Sequence, residues 1–176
     1  MGHTAILINR APVLTLWATV VAERLGFDHQ EALTLAKAVT GLTAQSKGRR
    51  LGIFKPLPKE MKKAGARNRG EIFQVEMLGR TVPCINTADG LRALSKDAPI
   101  QPTSVENYLE RKFGDALNRV CETMRELARA FKPEELADKA FGLYVQFRPV
   151  VPEDATGWSA KGELRLERIR SLASGK

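Results

Sequence analysis

The sequence predicts a mainly α-helical protein with one β-hairpin near its middle. Apolar residues recur at helical spacing in both halves of the chain, whereas one short stretch alternates apolar and polar residues as a strand does. Prolines and residue pairs typical of helix starts fall at the ends of the helical stretches. The chain has 176 residues, which is long enough to bury a core without disulfides or a structural metal.

Two helices are expected in the N-terminal part. The first begins near Pro12, which suits the first turn of a helix, and ends at Gly26. Trp17 lies on its apolar face, so we expect this ring in the core. Asp28 and Glu31 have the spacing of a capping box, which predicts that a second helix begins at Asp28.

A β-hairpin is expected over residues 71–85. Apolar and polar residues alternate in its first strand, from Phe73 to Met77, and Gly79 supplies a turn residue. The return strand contains Pro83, which has no N–H to donate to a ladder. We therefore expect the return strand at the edge of its sheet.

A linker is expected over residues 96–102, which contain two prolines. A short helix over residues 89–94 precedes it. The linker divides the chain into residues 1–95, which hold the helix pair, basic arm and hairpin, and a helical region over 103–176. One continuous domain is the alternative.

The C-terminal region is predicted to form a long antiparallel helix pair. Thr103 and Glu106 have capping-box spacing, and the apolar stripe that follows continues to Phe131. Pro133 begins the second helix, which ends before Pro149. The stripe is broad enough to permit a homodimer.

The chain is expected to close with a loop over residues 150–162 and a short strand or final helix that includes Leu164 and Ile169. Trp158 lies among small residues in this loop. We favour a ring that folds back as a lid on the core over one that anchors a ligand.

The net positive charge of the chain is concentrated in residues 47–69. Nine bases and one acid give this segment a net charge of +8, which equals the net charge of the whole chain. A local cationic field of this kind attracts polyanions. Glycines and prolines interrupt the segment too often for one long helix, so we expect a basic arm. The bases are Lys47, Arg49, Arg50, Lys55, Lys59, Lys62, Lys63, Arg67 and Arg69.

We therefore predict a nucleic-acid-binding protein whose basic segment contacts phosphates. A cationic segment between a helix pair and a hairpin resembles the wing region of winged-helix DNA-binding proteins, which implies contact with duplex phosphates. Ala22 and Gly26 also have helix-turn-helix spacing, in which Gln30, Thr34 and Lys37 form the exposed face that meets base edges. The alternatives are two packed helices with a Gly turn, and a solvated loop that serves solubility.

No catalytic, cofactor or metal site is expected. His3, His29, Cys84 and Cys121 have neither triad nor metal-ligand spacing, and no phosphate-binding glycine motif occurs. A protein without enzymatic activity is therefore favoured. Two alternatives to nucleic-acid binding stay open: a helical protein-interaction or homodimeric scaffold module, and an enzyme in which the arm is an anion-binding lid beside Trp158.

A cytoplasmic protein without a membrane partner is expected. Two cysteines among apolar neighbours do not form a secreted disulfide framework. No apolar stretch is long enough to span a bilayer, and residues 1–10 lack the long apolar region of a signal peptide.

Overall fold

The fold combines helices with two small antiparallel sheets. The structure, a computed structural model, describes residues 5–49, 72–78, 80–88, 90–95, 98–149 and 161–174. Its helices are α1 (Arg10–Arg24), α2 (His29–Arg49), α3 (Pro102–Phe113), α4 (Leu117–Arg129), α5 (Pro133–Phe147) and α6 (Leu166–Ser174). Its strands are β1 (Ala5–Asn9), β2 (Ile72–Met77), β3 (Arg80–Thr87), β4 (Gly90–Ser95), β5 (Ala98–Pro99) and β6 (Lys161–Arg165). The predominantly helical class is confirmed, but the strands are more numerous than predicted.

α1 lies at the centre of the fold because its sequence is apolar on every side. Eleven consecutive residues, Pro12 to Ala22, are buried. A helix that is apolar around its whole circumference belongs in an interior. Thr15 and Thr19 are tolerated there because their hydroxyls donate to backbone carbonyls one turn earlier.

Trp17 contacts α5 from α1. Its predicted position in the core is confirmed. Its side chain is completely buried, and its indole N–H donates to the carbonyl oxygen of Ala140 at 2.9 Å. The Phe147 ring packs against it edge to face, with ring centroids 5.3 Å apart. A buried indole N–H usually has a hydrogen-bond partner, and the Ala140 carbonyl provides it here.

The predicted turn and capping box between α1 and α2 are confirmed. Gly26, with a φ of +112°, follows the end of α1 in a conformation that a side chain would strain. The Asp28 carboxylate accepts the Glu31 N–H at 2.8 Å, and the Glu31 carboxylate accepts the Asp28 N–H at 3.1 Å. α2 then continues to Arg49, so its last turn carries the beginning of the basic segment.

The predicted hairpin is confirmed as β2 and β3, within a sheet of order β2-β3-β4-β5. The edge position predicted for the Pro83 strand is wrong, since β3 lies between β2 and β4. The sheet tolerates Pro83 because β4 pairs with β3 only from Cys84 to Thr87, so this ladder needs no donor at the proline.

The helix predicted over residues 89–94 is also wrong, because most of this stretch belongs to β4. Gly90, with a φ of +120°, follows the turn that leads into the strand, and the Thr87 hydroxyl donates to its carbonyl at 2.8 Å. Ile100, in the expected linker, is buried and donates its N–H to Ala93 at 2.9 Å. One core cluster contains residues from both sides of this stretch.

The single long helix predicted from Ser104 to Phe131 is interrupted. Gly114 takes a positive φ of +55° and begins a 3₁₀ turn that separates α3 from α4. The predicted capping box at Thr103 is wrong, because α3 begins at Pro102 with Gln101 as its N-cap residue. The start of α5 at Pro133 is confirmed.

The C-terminal helices are arranged around α1 instead of forming a pair by themselves. α4 packs on α1 and α6, and α5 packs on α1. The short strand or final helix predicted around Leu164 and Ile169 is present as both, because β6 is followed directly by α6. β6 pairs antiparallel with β1, from Ala5 opposite Arg165 to Asn9 opposite Lys161, and so joins the two ends of the described chain. No helix in the described ranges has the length and apolar character to cross a membrane.

Two glycines provide a matched test of these helix assignments. Gly142 lies inside α5 and Gly114 at the break, and a methyl group at either position would meet no atom within 4 Å. Gly142→Ala should stabilise the protein by about 0.5–1 kcal/mol through helix propensity. Gly114→Ala should destabilise it by about 1 kcal/mol because of the positive φ. Urea unfolding measures both, and shifts of the same sign would contradict the break.

Candidate nucleic-acid interface

The predicted basic segment begins on the last turn of α2. Lys47 and Arg49 belong to this helix, which ends at Arg49. The other predicted bases lie outside the described residues: Arg50, Lys55, Lys59, Lys62, Lys63, Arg67 and Arg69. Trp158 also lies outside them, so its predicted lid is not described.

α2 carries the basic segment to the end of the molecule where α1 begins. The two helices pack together after a short turn, and the hydroxyl oxygens of Thr15 and Thr40 lie 2.7 Å apart. Arg10 is five residues before this contact, and Arg49 is nine residues after it. At about 1.5 Å per residue, α2 extends roughly 6 Å past the start of α1.

Two arginines lie at this same end. Arg10 begins α1, and its Nε donates to the carbonyl oxygen of Pro149, just after α5, at 3.0 Å. The Arg148 guanidinium lies 5.9 Å from the centroid of the Tyr144 ring. The Tyr144 hydroxyl donates to the Arg10 carbonyl at 3.4 Å. Tyr144 therefore contacts both residues. We call Arg10 and Arg148 the arginine pair.

The arginine pair is close enough for its two charges to interact. Burial lowers the pKa of Arg10, and the neighbouring charge of Arg148 lowers it further. Burial also raises the pKa of Tyr144 to about 12, against the opposing effect of the two arginines. The phenol therefore keeps its proton at neutral pH. In the described ranges, no ion pair joins either arginine to a carboxylate.

Carboxylates collect at the opposite end of α1. Glu23, in its last turn, lies 2.6 Å from Nδ1 of His29, and Nε2 of His29 lies 3.7 Å from the Glu106 carboxylate. Arg125 is 2.8 Å from Glu122 and 3.8 Å from Glu23. His29 is exposed at the start of α2. Among the described residues, His29 and Arg125 at this end are paired with carboxylates, unlike the arginine pair at the other end.

Thr34 does not belong to an exposed recognition face, and that prediction is wrong. Its side chain is completely buried, because β4 packs on this side of α2. The Thr34 hydroxyl accepts the N–H of Ala93 at 3.0 Å and donates to the carbonyl of Glu31. The Glu31 carboxylate also accepts the N–H of Leu91 at 3.0 Å.

Gln30 and Lys37 are exposed as predicted, but both contact neighbouring elements. The Gln30 side-chain oxygen accepts a hydrogen bond from Arg92 of β4 at 3.3 Å. The Lys37 ammonium lies 5.5 Å from the centroid of the Tyr108 ring in α3, a cation–π distance. These contacts bring neither residue near the arginine pair or the end of α2.

The described residues provide no assembled metal centre. No group of three or more His, Cys, Asp or Glu side chains among them can hold a metal ion. An open groove of about 690 Å³ lies between α5 and α6, with Glu135, Lys139, Leu143 and Leu172 in its wall. Its lining contains neither a histidine nor a cysteine.

Comparison of this chain with models of protein families, with curated proteins and with solved structures found no match. The function must therefore be inferred from the chain itself.

Arg10 and Arg148 were not among the residues predicted to bind. They stand far apart in the sequence, each is a single base outside the cationic segment, and only the packing of α1 against α5 brings them together.

The role of Thr34 in joining α2 to β4 can be tested by replacing it with valine, which has nearly the same shape but no hydroxyl. Thr34→Val should destabilise the protein by about 1–3 kcal/mol, because the buried N–H of Ala93 loses its acceptor. Thr103→Val, at an exposed position in α3, is the control and should change stability by less than about 0.5 kcal/mol. Equal effects in urea unfolding would contradict this role.

The two thiols should be poor nucleophiles. Burial raises the pKa of Cys84 to about 12 and also raises that of Cys121, so both stay protonated at neutral pH. The variant Cys121→Ser leaves Cys84 as the single thiol, and with a pKa of about 12 roughly one Cys84 in ten thousand is a thiolate at pH 8. We expect no reaction with a disulfide reagent until urea unfolds the chain. Reaction of the folded variant at the rate of free cysteine would contradict the burial.

Proposed function

We propose that this protein binds nucleic acid through its phosphates, with the segment 47–69 as the main contact. The observation that carries the proposal is the concentration of nine bases against one acid in that segment, while the rest of the chain is neutral. Lysine and arginine side chains that neutralise phosphates release condensed counterions, which favours binding.

The composition of the segment favours a duplex backbone over stacked bases. Phe54 is the only aromatic residue in the segment, so a platform for stacking single-stranded bases is not supported. Gly48, Gly52 and Gly65 have no side chain and permit close approach of backbone N–H groups to phosphates.

Sequence-independent binding fits this proposal better than base readout. A recognition helix needs an open face for a groove, and β4 covers α2 at Thr34. Phosphate contacts fix position and affinity but carry no base information.

We place this activity in the cytoplasm, since Cys84 and Cys121 are both free.

The proposal predicts strongly salt-dependent binding to a labelled 20-mer duplex, measured by fluorescence anisotropy. If about five phosphates are engaged, log K should fall with log salt at a slope of roughly −4.5. Arg49→Glu/Arg50→Glu should weaken binding by about tenfold or more for every sequence, because it reverses two charges in the segment.

The matched control is Arg119→Glu/Arg129→Glu, which reverses two exposed charges on α4. It makes the same change in net charge, so it should weaken binding far less if the position of the bases matters. Equal loss in the two variants would show a net-charge effect only. Wild-type affinity in Arg49→Glu/Arg50→Glu would reject the segment as the contact.

A further inference from the structure

We propose that Arg10 and Arg148 form a fixed binding site for a phosphate group, at the same end of α1 as the last turn of α2. The proposed function supplies the identity of the ligand as nucleic-acid phosphate. The site itself is argued from contacts between α1 and α5, which do not depend on the segment.

The guanidinium of Arg10 is held in one orientation. Its Nε bond to the Pro149 carbonyl uses one of the five N–H donors of an arginine side chain. The bond also joins the first residue of α1 to the residue that follows Arg148. A donor fixed in this way loses little conformational entropy when it binds a ligand.

Arg148 is placed by the aromatic ring that it covers. Tyr144 is 1% exposed, and its hydroxyl bond to the Arg10 carbonyl fixes the phenol between α1 and α5. The Arg148 guanidinium over that ring therefore lies on a rigid support. Arginine is suited to phosphate because its planar group donates two parallel hydrogen bonds.

The charges of the pair favour an anion between or beside them. No carboxylate among the described residues forms an ion pair with either side chain, in contrast to Arg125 and Arg165. The contacts bring the pair together, because Arg10 donates to the residue after Arg148 and Tyr144 contacts both arginines. A bound phosphate would relieve this repulsion and satisfy several N–H donors.

The position of the arginine pair suits a backbone that also contacts the basic segment. Arg49 lies at the same end of the molecule, about 6 Å beyond the start of α1 along the helix direction. A duplex presents a continuous row of phosphates, about one for every 3.4 Å of axis on each strand, so one backbone can contact separate groups at the same end of the molecule. The carboxylates near Glu23 lie at the far end of α1.

Duplex binding tests the contribution of the pair. Arg148→Gln and Arg10→Gln/Arg148→Gln should weaken anisotropy binding about tenfold and make the salt slope shallower by about 0.9 for the phosphate lost. Arg129→Gln, at an exposed position in the last turn of α4, is the matched control and should have little effect. If Arg148→Gln binds like Arg129→Gln, with the same slope, the arginine site is rejected.

Inorganic pyrophosphate tests the site without nucleic acid. It should raise the melting temperature of the wild-type protein and of Lys62→Gln/Lys63→Gln, but not that of Arg148→Gln or the double arginine variant. Arg148→Gln leaves the Arg10 bond to Pro149 intact, so it tests the site even if the Arg10 change prevents folding. An equal rise in Arg148→Gln, or no rise in the wild type, would overturn the proposal.

The two experiments separate the two proposals. If the wild type does not bind the duplex but pyrophosphate protection is lost in Arg148→Gln, nucleic-acid binding fails and the arginine site is supported. If the duplex binds but the arginine variants change neither its affinity nor the pyrophosphate effect, the arginine site fails and the role of the segment remains supported.

Discussion

The burial of α1 is the constraint on which the rest of the fold depends. Eleven consecutive buried residues leave no solvent-facing side, so α2, α3, α4 and α5 pack around this helix. The bond from Trp17 to the Ala140 carbonyl fixes one of these contacts. No charged residue occurs in α1 between Arg10 and Glu23. The charges of this helix are therefore confined to its two ends.

The position of the charged residues at the ends of α1 relates the fold to the proposed function. At one end, Arg10 donates to the residue after Arg148, and the last turn of α2 lies at this same end of α1. At the other end, Glu23 belongs to a group of carboxylates that includes Glu106 and Glu122. At this second end the carboxylates are paired with His29 and Arg125, whereas the described residues place no carboxylate against the arginine pair.

Features that depend on local pattern were predictable from the sequence. The Asp28 capping box, the end of α1 at Gly26 and the hairpin are encoded by residues close together in the chain. β4 and the β1–β6 pair were missed because each strand is short and is stabilised by distant partners. Thr34 was wrongly placed on the surface for the same reason, since only the position of β4 shows that a polar helix residue is buried. The arginine pair likewise arises from tertiary packing.

Hydrogen exchange with and without a 20-mer duplex tests the central claim most directly. Protection should appear over residues 44–70, and around Arg10 and Arg148 if the pair also binds phosphate. Residues 28–37, which include the predicted recognition face, and the end of α4 should exchange unchanged. Protection confined to 28–37, or the absence of protection in 44–70 under conditions that saturate binding, would contradict binding through the cationic end.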